Sequence, residues 1–380
     1  MIKSKLPDIG NTIFTHMSAL AAQHQALNLS QGFPDFDAPE ALREAMCKHV
    51  MAGHNQYSPM AGVMALREAI AEQVMQYRQV TVDPEVEITI TPGATQAIFC
   101  AIMAVVNPGD EVIVFDPCYD SYEPAIRLAG GRAVHVPLCP DQFSLDWEKL
   151  HAALSQRTRM IIINSPHNPT GSTLKHSDML QLEEIVQQHD LLVISDEVYE
   201  HLVFDQQQHW SVMQFPALRA RSFAVFSFGK TFSVTGWKTG YCIAPPQLTA
   251  ELRKIHQYVS YVAVTPVQLA LVDFMQDSPD YAASLAEFYQ HKRDLFCAAL
   301  DKSRFTAKPS AGTYFQLLDY SDISDTPDTQ LCDTWTAEIG LASIPISVFY
   351  QHPPEQFYLR FCFAKNDEVL LQAAEILCKI

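Results

Sequence analysis

Residues 160–196 read MIIINSPHNPTGSTLKHSDMLQLEEIVQQHDLLVISD, and their organisation decides the fold. Two short apolar runs, Met160–Asn164 and Leu191–Ser195, flank Ser177–His189, whose apolar residues recur at helical spacing. Both runs are apolar throughout rather than alternating, as expected of strands covered on both faces. Strand followed by helix followed by strand argues for a parallel sheet with helices on either side.

The same alternation extends outward from this unit. Strands are predicted at Val86–Thr91, Glu111–Phe115, Ala133–Pro137, Phe223–Ser227 and Thr239–Ala244, and helices at Gln96–Val106, Ser121–Leu128 and Trp147–Leu154. The fold class is therefore α/β, with a large domain built on a mostly parallel, seven-stranded sheet flanked by helices. The ends read differently. Gln31–Asp37 is an extended Gly/Pro/Asp stretch, and from Ser278 onward come a helix at Tyr281–Ala299 and short strands around Thr313–Leu318 and Phe357–Phe363. Residues 1–40 are read as an N-terminal segment that joins a smaller α+β domain, 41–277 as the large domain, and 278–380 as the C-terminal part of the small one. A long helix near Pro266–Met275, or just beyond it, is expected to link them.

Composition narrows the function. The chain has 380 residues, 48 % hydrophobic and 18 % charged, enough to bury a substantial core. Its net charge of −17 argues against nucleic acid as a partner, because phosphate backbones demand Lys and Arg. It leaves room for a local positive pocket that takes a small anion. The nine cysteines include no CxxC pair, which reads as reduced thiols rather than a disulfide framework or metal site. MIKSKLPDIGNTIF has two lysines but no apolar core after them, and no run approaches the length of a membrane span. A cytoplasmic protein without a membrane partner is expected.

Ligands of open α/β sheets bind beyond the carboxyl ends of the strands, so the residues that follow each strand carry the functional signal. Pro92-Gly93-Ala94-Thr95-Gln96 is a Gly-containing turn opening a helix; it could be a plain connection, or its free N–H groups could hold a phosphate. In Ser165–Gly171 a turn explains the two prolines and Gly171, but Asn168, held between Pro166 and Pro169, reads as an amide being aimed. His167 reads as a packed histidine. Asp196 is either a turn cap or a counter-charge for a cationic ring nitrogen, with Glu197 and Tyr199 just beyond it. Lys230, flanked by Phe226, Phe228 and Phe232, is either a snorkelling surface lysine or a desolvated amine able to condense with an aldehyde. Lys238 taken alone is an ordinary charge. Arg360, inside the apolar strand Leu359–Phe363, must find an anion, either in a structural salt bridge or in a substrate carboxylate.

Two assemblies compete. Ala224–Thr231 is one substitution from the G-x-x-x-x-G-K-T phosphate loop, which would make a nucleotide-binding enzyme. Against it, the first glycine is Ala224, the residues between are bulky and apolar, and the acidic strand precedes the lysine. The other assembly uses every awkward residue at once. Lys230 forms the link to an aldehyde cofactor, Asp196 keeps its ring nitrogen protonated, and Tyr199 and Asn168 hold its phenolic oxygen. Ser227, Lys238 and the N–H groups of Ala94 and Thr95 bind its phosphate, and Arg360 binds the substrate carboxylate.

These residues fall in stretches that resemble the class I/II pyridoxal-phosphate aminotransferases of fold type I. The stretches are QGFPDF (31–36), NQYSPMAG (55–62), TPGATQA (91–97), FDPCYDSY (115–122), NSPHNPTG (164–171), SDEVYEHLVF (195–204), SFGKTFSVTGWKTGY (227–241) and LRFCFAK (359–365). Within the family the chain resembles most the methionine aminotransferases and the kynurenine/glutamine transaminases. Many relatives carry arginine where this chain has Lys238, so the phosphate would be held without an arginine fork. The resemblance implies pyridoxal 5'-phosphate as cofactor, Tyr119 stacked on its ring, Gly32 meeting the substrate carboxylate by its backbone, and an N-terminal segment that moves to close the site. It also implies a homodimer in which Tyr57 reaches the phosphate of the neighbouring subunit.

The expected reaction moves the amino group of an L-amino acid to a 2-oxo acid by ping-pong kinetics. No second arginine has an evident reason to bind a side-chain carboxylate, so an apolar, thioether or aromatic side chain is expected, with methionine the best fit. Phe33, Tyr119 and Tyr261 are the aromatic candidates near it. The alternative on the same residues is β-elimination, as in cysteine-conjugate β-lyases.

Overall fold

Along each central strand, odd- and even-numbered side chains enter different cores. Ile113, Phe115, Ile161, Ile163, Val193, Ala224 and Phe226 pack on one face of the sheet. Val112, Val114, Met160, Ile162, Leu192, Ile194, Phe223 and Val225 pack on the other. This is the period-two consequence of the pleat, and it explains why these strands are apolar throughout. The structure is a computed structural model and describes residues 2–380.

The sheet has seven strands, β1 (Ile88–Thr91), β2 (Glu111–Asp116), β3 (Arg132–Pro137), β4 (Thr158–Asn164), β5 (Leu192–Asp196), β6 (Ser222–Ser227) and β7 (Gly240–Ile243). They lie side by side in the order β1-β7-β6-β5-β4-β2-β3. Every pair from β6 to β3 is parallel, whereas β7 runs antiparallel to both β1 and β6. The exception follows from the connection. Between β6 and β7 the chain forms only a one-turn helix, Phe228–Thr231, and a 3-10 turn, Thr235–Trp237, too little for a parallel crossover. Helices Met64–Arg78, His176–Gln188 and Thr265–Asp277 cover the first face, and Ala94–Val105 and Tyr122–Leu128 the second.

A third core joins the two ends of the chain. Met17, Ala21 and Leu29 pack with Phe296, Leu317, Phe361 and Leu370. Its sheet contains β8 (Thr306–Ala307), β9 (Phe315–Asp319), β10 (Ile344–Pro345) and β11 (Tyr358–Cys362), antiparallel in the order β10-β11-β9-β8. Leu27–Asn28 pairs in parallel with Leu341–Ala342. Helix Thr265–Asp277 packs on Glu40–Met51, and the following helix, Tyr281–Ala299, packs on Asp367–Leu377. Arg293 ties this core to the segment after β5. It is nearly fully buried and grips both carboxylate oxygens of Asp205 at 2.7 and 2.8 Å and the Ser310 carbonyl at 2.7 Å. Among the described residues no helix is long and apolar enough to cross a membrane.

Candidate active site

The carboxyl ends of β4, β5 and β6 deliver Asn164, Asp196 and Ser227 to one cavity. Register places Asn164 beside Asp196. The cavity wall also includes Ala94, Thr95, Tyr119, Asn168, Tyr199, Lys230 and Lys238. Nine of the sequence-predicted residues are thus brought together around one space.

At its floor, Asp196 is buried and accepts a hydrogen bond of 2.6 Å from the Tyr122 hydroxyl. Burial raises its carboxyl to about 6, against the pull of Tyr122, the Val198 N–H and Lys230. Lys230 is shifted in the opposite sense. Burial lowers its amine to about 8, and Arg360 and Lys238 add to the shift while Cys362 and Asp196 oppose it. An acid pushed up and an amine pushed down share one cavity, the reverse of what an ion pair does to its partners, and desolvated groups of this kind in a cleft mark a candidate reactive site. The Lys230 Nζ donates to the Gly32 carbonyl at 3.0 Å and to the Tyr314 hydroxyl at 2.7 Å. Burial also raises the Tyr199 phenol, whose ring lies 5.5 Å from the amine.

At the opposite wall, helix Ala94–Val105 starts at Gly93, which has φ +84° and makes no side-chain cap. First-turn N–H groups of a helix have no intrahelical partner, so those of Ala94 and Thr95 are open to an anion. A side chain at position 93 would place its Cβ 3.4 Å from the Lys238 Nζ, so glycine leaves the space between helix end and cation clear.

Arg360 stands in β11, fully buried, and does not line this cavity itself. Its Nη1 donates to the Asn168 side-chain oxygen at 2.8 Å and its Nη2 to the Ser30 carbonyl at 2.9 Å. Its Nε is buried without a partner, and its guanidinium lies 4.0 Å from the Phe315 ring centre. Burial lowers it to about 10. Among the described residues it forms no salt bridge, so a structural ion pair does not explain it. A buried arginine with an idle N–H and no salt-bridge partner is able to take an anionic ligand.

The remaining predicted residues lie elsewhere. Gly32 meets the site only through its carbonyl. Tyr57 is 81 % exposed and packs edge-on against Tyr261, away from the cavity. Phe33 and Tyr261 are also exposed, leaving Tyr119 as the one aromatic of the three on the cavity wall. His167 is buried, lowered to about 4 by burial, and bonded to the Thr170 hydroxyl at 2.7 Å, a packed histidine as expected. The phosphate-loop reading fails on geometry. Residues 222–227 are strand, five of them buried, and cannot wrap a phosphate.

Two site residues were not anticipated. Asn164 donates to the Asp196 carbonyl and accepts from the Asn168 N–H, both at 2.8 Å, so it fixes the loop that aims Asn168. Tyr314 is a fully buried aromatic just before β9. Its role arises from Gly32, which reaches it across 282 residues of sequence.

The chain's residues 24–377 match the family model for aminotransferase class I and II. It is 51 % identical to a methionine aminotransferase of Escherichia coli over 98 % of this chain and 97 % of that one. It is 34 % identical to a kynurenine–oxoglutarate transaminase of Dictyostelium discoideum over 98 % and 94 %. Its fold superposes on a solved Escherichia coli protein described as having a methionine aminotransferase function, with a TM-score of 0.98 at 50 % identity and full coverage of both chains. Agreement in sequence and in fold, from one end to the other, makes this chain a member of the class I and II aminotransferases.

Proposed function

We propose that this aminotransferase uses pyridoxal 5'-phosphate to move the amino group of methionine, or of another apolar, thioether or aromatic L-amino acid, to a 2-oxo acid. The observation that carries the reading is the opposed perturbation of Asp196 and Lys230 in one cavity, with the unpaired Arg360 joined to it through Asn168.

The donor set fits the cofactor. The Gly93 cradle, the open first turn of its helix, Ser227 and Lys238 suit a phosphate. Asp196, held at one oxygen by Tyr122, suits a protonated ring nitrogen, and a cation there would draw its proton off. Tyr119, on the cavity wall, is assigned to stack on the cofactor ring, and Tyr199 and Asn168 to hold its phenolic oxygen. Lys230 supplies the amine. When bound, the cofactor acts as an electron sink for the charge left at the substrate Cα.

The chain's own residues do the rest. Arg360 binds the α-carboxylate common to all amino acids, which lets one site serve both substrates. Lys230, with its lowered pKa, is neutral enough near pH 8 to take the Cα proton and, once protonated, to return it. Asp196 stays ionised against a cation and stabilises the charge that develops.

Tyr57, Tyr258, Tyr261 and Val264 are all exposed apolar residues, and Gln56–Ser58 is stitched to Thr265 by hydrogen bonds of 2.8 and 3.1 Å. This patch supports a homodimer in which Tyr57 completes the second subunit's phosphate site. Residues 1–40 and 278–380 act together as the smaller unit that closes over residues 41–277.

Methionine as donor is supported by the Escherichia coli relative. A 39 % identical Mycobacterium tuberculosis protein is described as a probable N-succinyldiaminopimelate aminotransferase, so the scaffold admits other side chains. The test is the absorption spectrum of the purified protein before and after L-methionine, with no 2-oxo acid present. A yellow band that moves to the near ultraviolet supports cofactor and substrate together. An unmoved band rejects methionine, and no band after reconstitution rejects the cofactor. Ammonia and pyruvate released from a β-thio amino acid without an acceptor would indicate the lyase reaction instead.

A further inference from the structure

The Lys230 amine sits in a three-cornered contact that the reading above leaves unused. Its Nζ donates to the Tyr314 hydroxyl at 2.7 Å and to the Gly32 carbonyl at 3.0 Å. The Tyr314 hydroxyl in turn donates to that same carbonyl at 2.5 Å. Tyr314 is fully buried, its ring wedged between Tyr199 at 5.1 Å and Phe315 at 5.0 Å, so the hydroxyl has a fixed address. Gly32 is held as closely. A Cβ there would stand 2.8 Å from the Phe315 ring.

We propose that Tyr314 is a positioning residue for Lys230: with the Gly32 carbonyl it occupies both N–H bonds of the neutral amine and so turns the lone pair toward the cavity. This rests on the reading of Lys230 as the base in the proposed reaction.

The argument is one of valence. A neutral amine has one bond to Cε, two N–H donors and one lone pair in a tetrahedral arrangement. Two acceptors, the Tyr314 oxygen and the Gly32 oxygen, use both donors. The fourth corner is the lone pair, and the cavity that Lys230 lines is the space left for it. A free lysine side chain has four rotatable carbons and would spread its nitrogen over many positions. The contact also couples the base to the substrate-binding segment, because the Gly32 carbonyl is shared between the lysine and the tyrosine.

The test compares Tyr314→Phe with the unmodified protein and with Tyr289→Phe. Tyr289 belongs to the same aromatic cluster, but its hydroxyl makes no hydrogen bond to Lys230. Two readouts are taken. One is the pH midpoint for acylation of Lys230 by a trace lysine-selective reagent in the full-length, cofactor-free chain, read by peptide mass spectrometry. The other is kcat, KM and the Cα-deuterium isotope effect with methionine in the loaded enzyme.

Removing an acceptor of the charged amine should move the Tyr314→Phe midpoint to lower pH. In the loaded enzyme kcat should fall by about tenfold or more with KM little changed, and the isotope effect should rise as proton transfer becomes more limiting. Tyr289→Phe should match the unmodified protein in both. If Tyr314→Phe folds poorly, a fluorinated tyrosine at 314 keeps the volume and weakens the acceptor, and its midpoint should move the same way. An unchanged midpoint with an unchanged isotope effect overturns the proposal, as does a fall in kcat alone, which packing would explain. If the unmodified protein transaminates no amino acid, the functional reading fails, and the midpoint still decides whether Tyr314 holds the amine.

Discussion

Arg360 donates to the side-chain oxygen of Asn168 at 2.8 Å, which joins residues 192 positions apart into one recognition unit. The contact fixes both partners. Because the Asn168 oxygen is engaged, its NH2 group is the end left to donate into the cavity. Because one Arg360 nitrogen is engaged there and another on the Ser30 carbonyl, the guanidinium is already oriented when a carboxylate arrives.

Arg360→Lys should therefore lose substrate while keeping cofactor. Lysine retains the charge but not the planar fork, and it leaves Asn168 and Ser30 without their donor. The expected cost in kcat/KM for methionine is about 1.5–3 kcal/mol, the range for a hydrogen bond to a charged group, with most of it in KM. Steady-state kinetics on the reconstituted variant check this. Loss of the cofactor band instead would contradict the assignment.

Lys230→Ala should bind cofactor reversibly and turn over at least about 10²-fold more slowly, since a positioned base contributes on the order of 10²–10⁴. The same variant tests the shared site. Mixed with Tyr57→Ala subunits, it should form hybrid dimers in which one site has both its own Lys230 and an intact tyrosine across the interface. Activity recovered on mixing, above the sum of the two parent variants, is the expected result. No recovery despite subunit exchange would place Tyr57 outside the catalytic site.

Stability of the cofactor-free chain should dip near neutrality. The Asp196 carboxyl is raised from 3.8 to about 6, so its contribution is full below 3.8 and is lost as pH rises through about 6. The Lys230 amine is lowered from 10.5 to about 8, so its contribution is full above 10.5 and is lost as pH falls through about 8. Between about 6 and about 8 both groups are charged against the preference of the fold. Asp196→Asn should relieve the acid side of this dip, by up to about 3 kcal/mol if the whole shift is expressed. Thermal melts across pH read the effect. A flat profile for the unmodified protein would contradict the shifts.

Gly93→Ala should weaken both cofactor binding and the fold. A backbone at φ +84° and ψ 164° is one that residues with a Cβ avoid, at a cost of about 1–3 kcal/mol, and the new methyl group stands 3.4 Å from the Lys238 Nζ. About a tenfold rise in the cofactor dissociation constant is expected, about 1.4 kcal/mol, measured by titrating the cofactor-free protein. An unchanged constant would remove the Gly93 turn from the phosphate site.

Much of this was legible in the sequence because several strands of the large sheet are written in continuous apolar runs. All seven strands stand where the sequence predicts them, with ends that differ by a residue or two. The residues just beyond them, Asn168, Asp196, Tyr199 and Lys230, are legible because each is polar or charged where a core or a plain turn has no use for it. The direction of β7 was not legible, since a run such as Gly240–Ile243 has the same composition either way and only the short connection before it decides. Tyr314 and the Ser30 carbonyl were hidden for another reason. A tyrosine in an apolar segment and a backbone oxygen carry no local signal, and both gain meaning only from contacts made hundreds of residues away.

The pairing of Leu27–Asn28 with Leu341–Ala342 sets an order of assembly during synthesis. A chain leaving the ribosome N-terminus first exposes its opening segment long before its partners exist. The large sheet closes once residue 243 is out, and by then the segments that carry Lys230 and Asp196 are both made. Arg360 and the strand that seats Ser30 arrive only at the end. An unfinished chain thus holds the lysine before it holds Tyr314, which bonds its amine, or any means of selecting an amino acid. The ability to discriminate is the last thing the ribosome delivers.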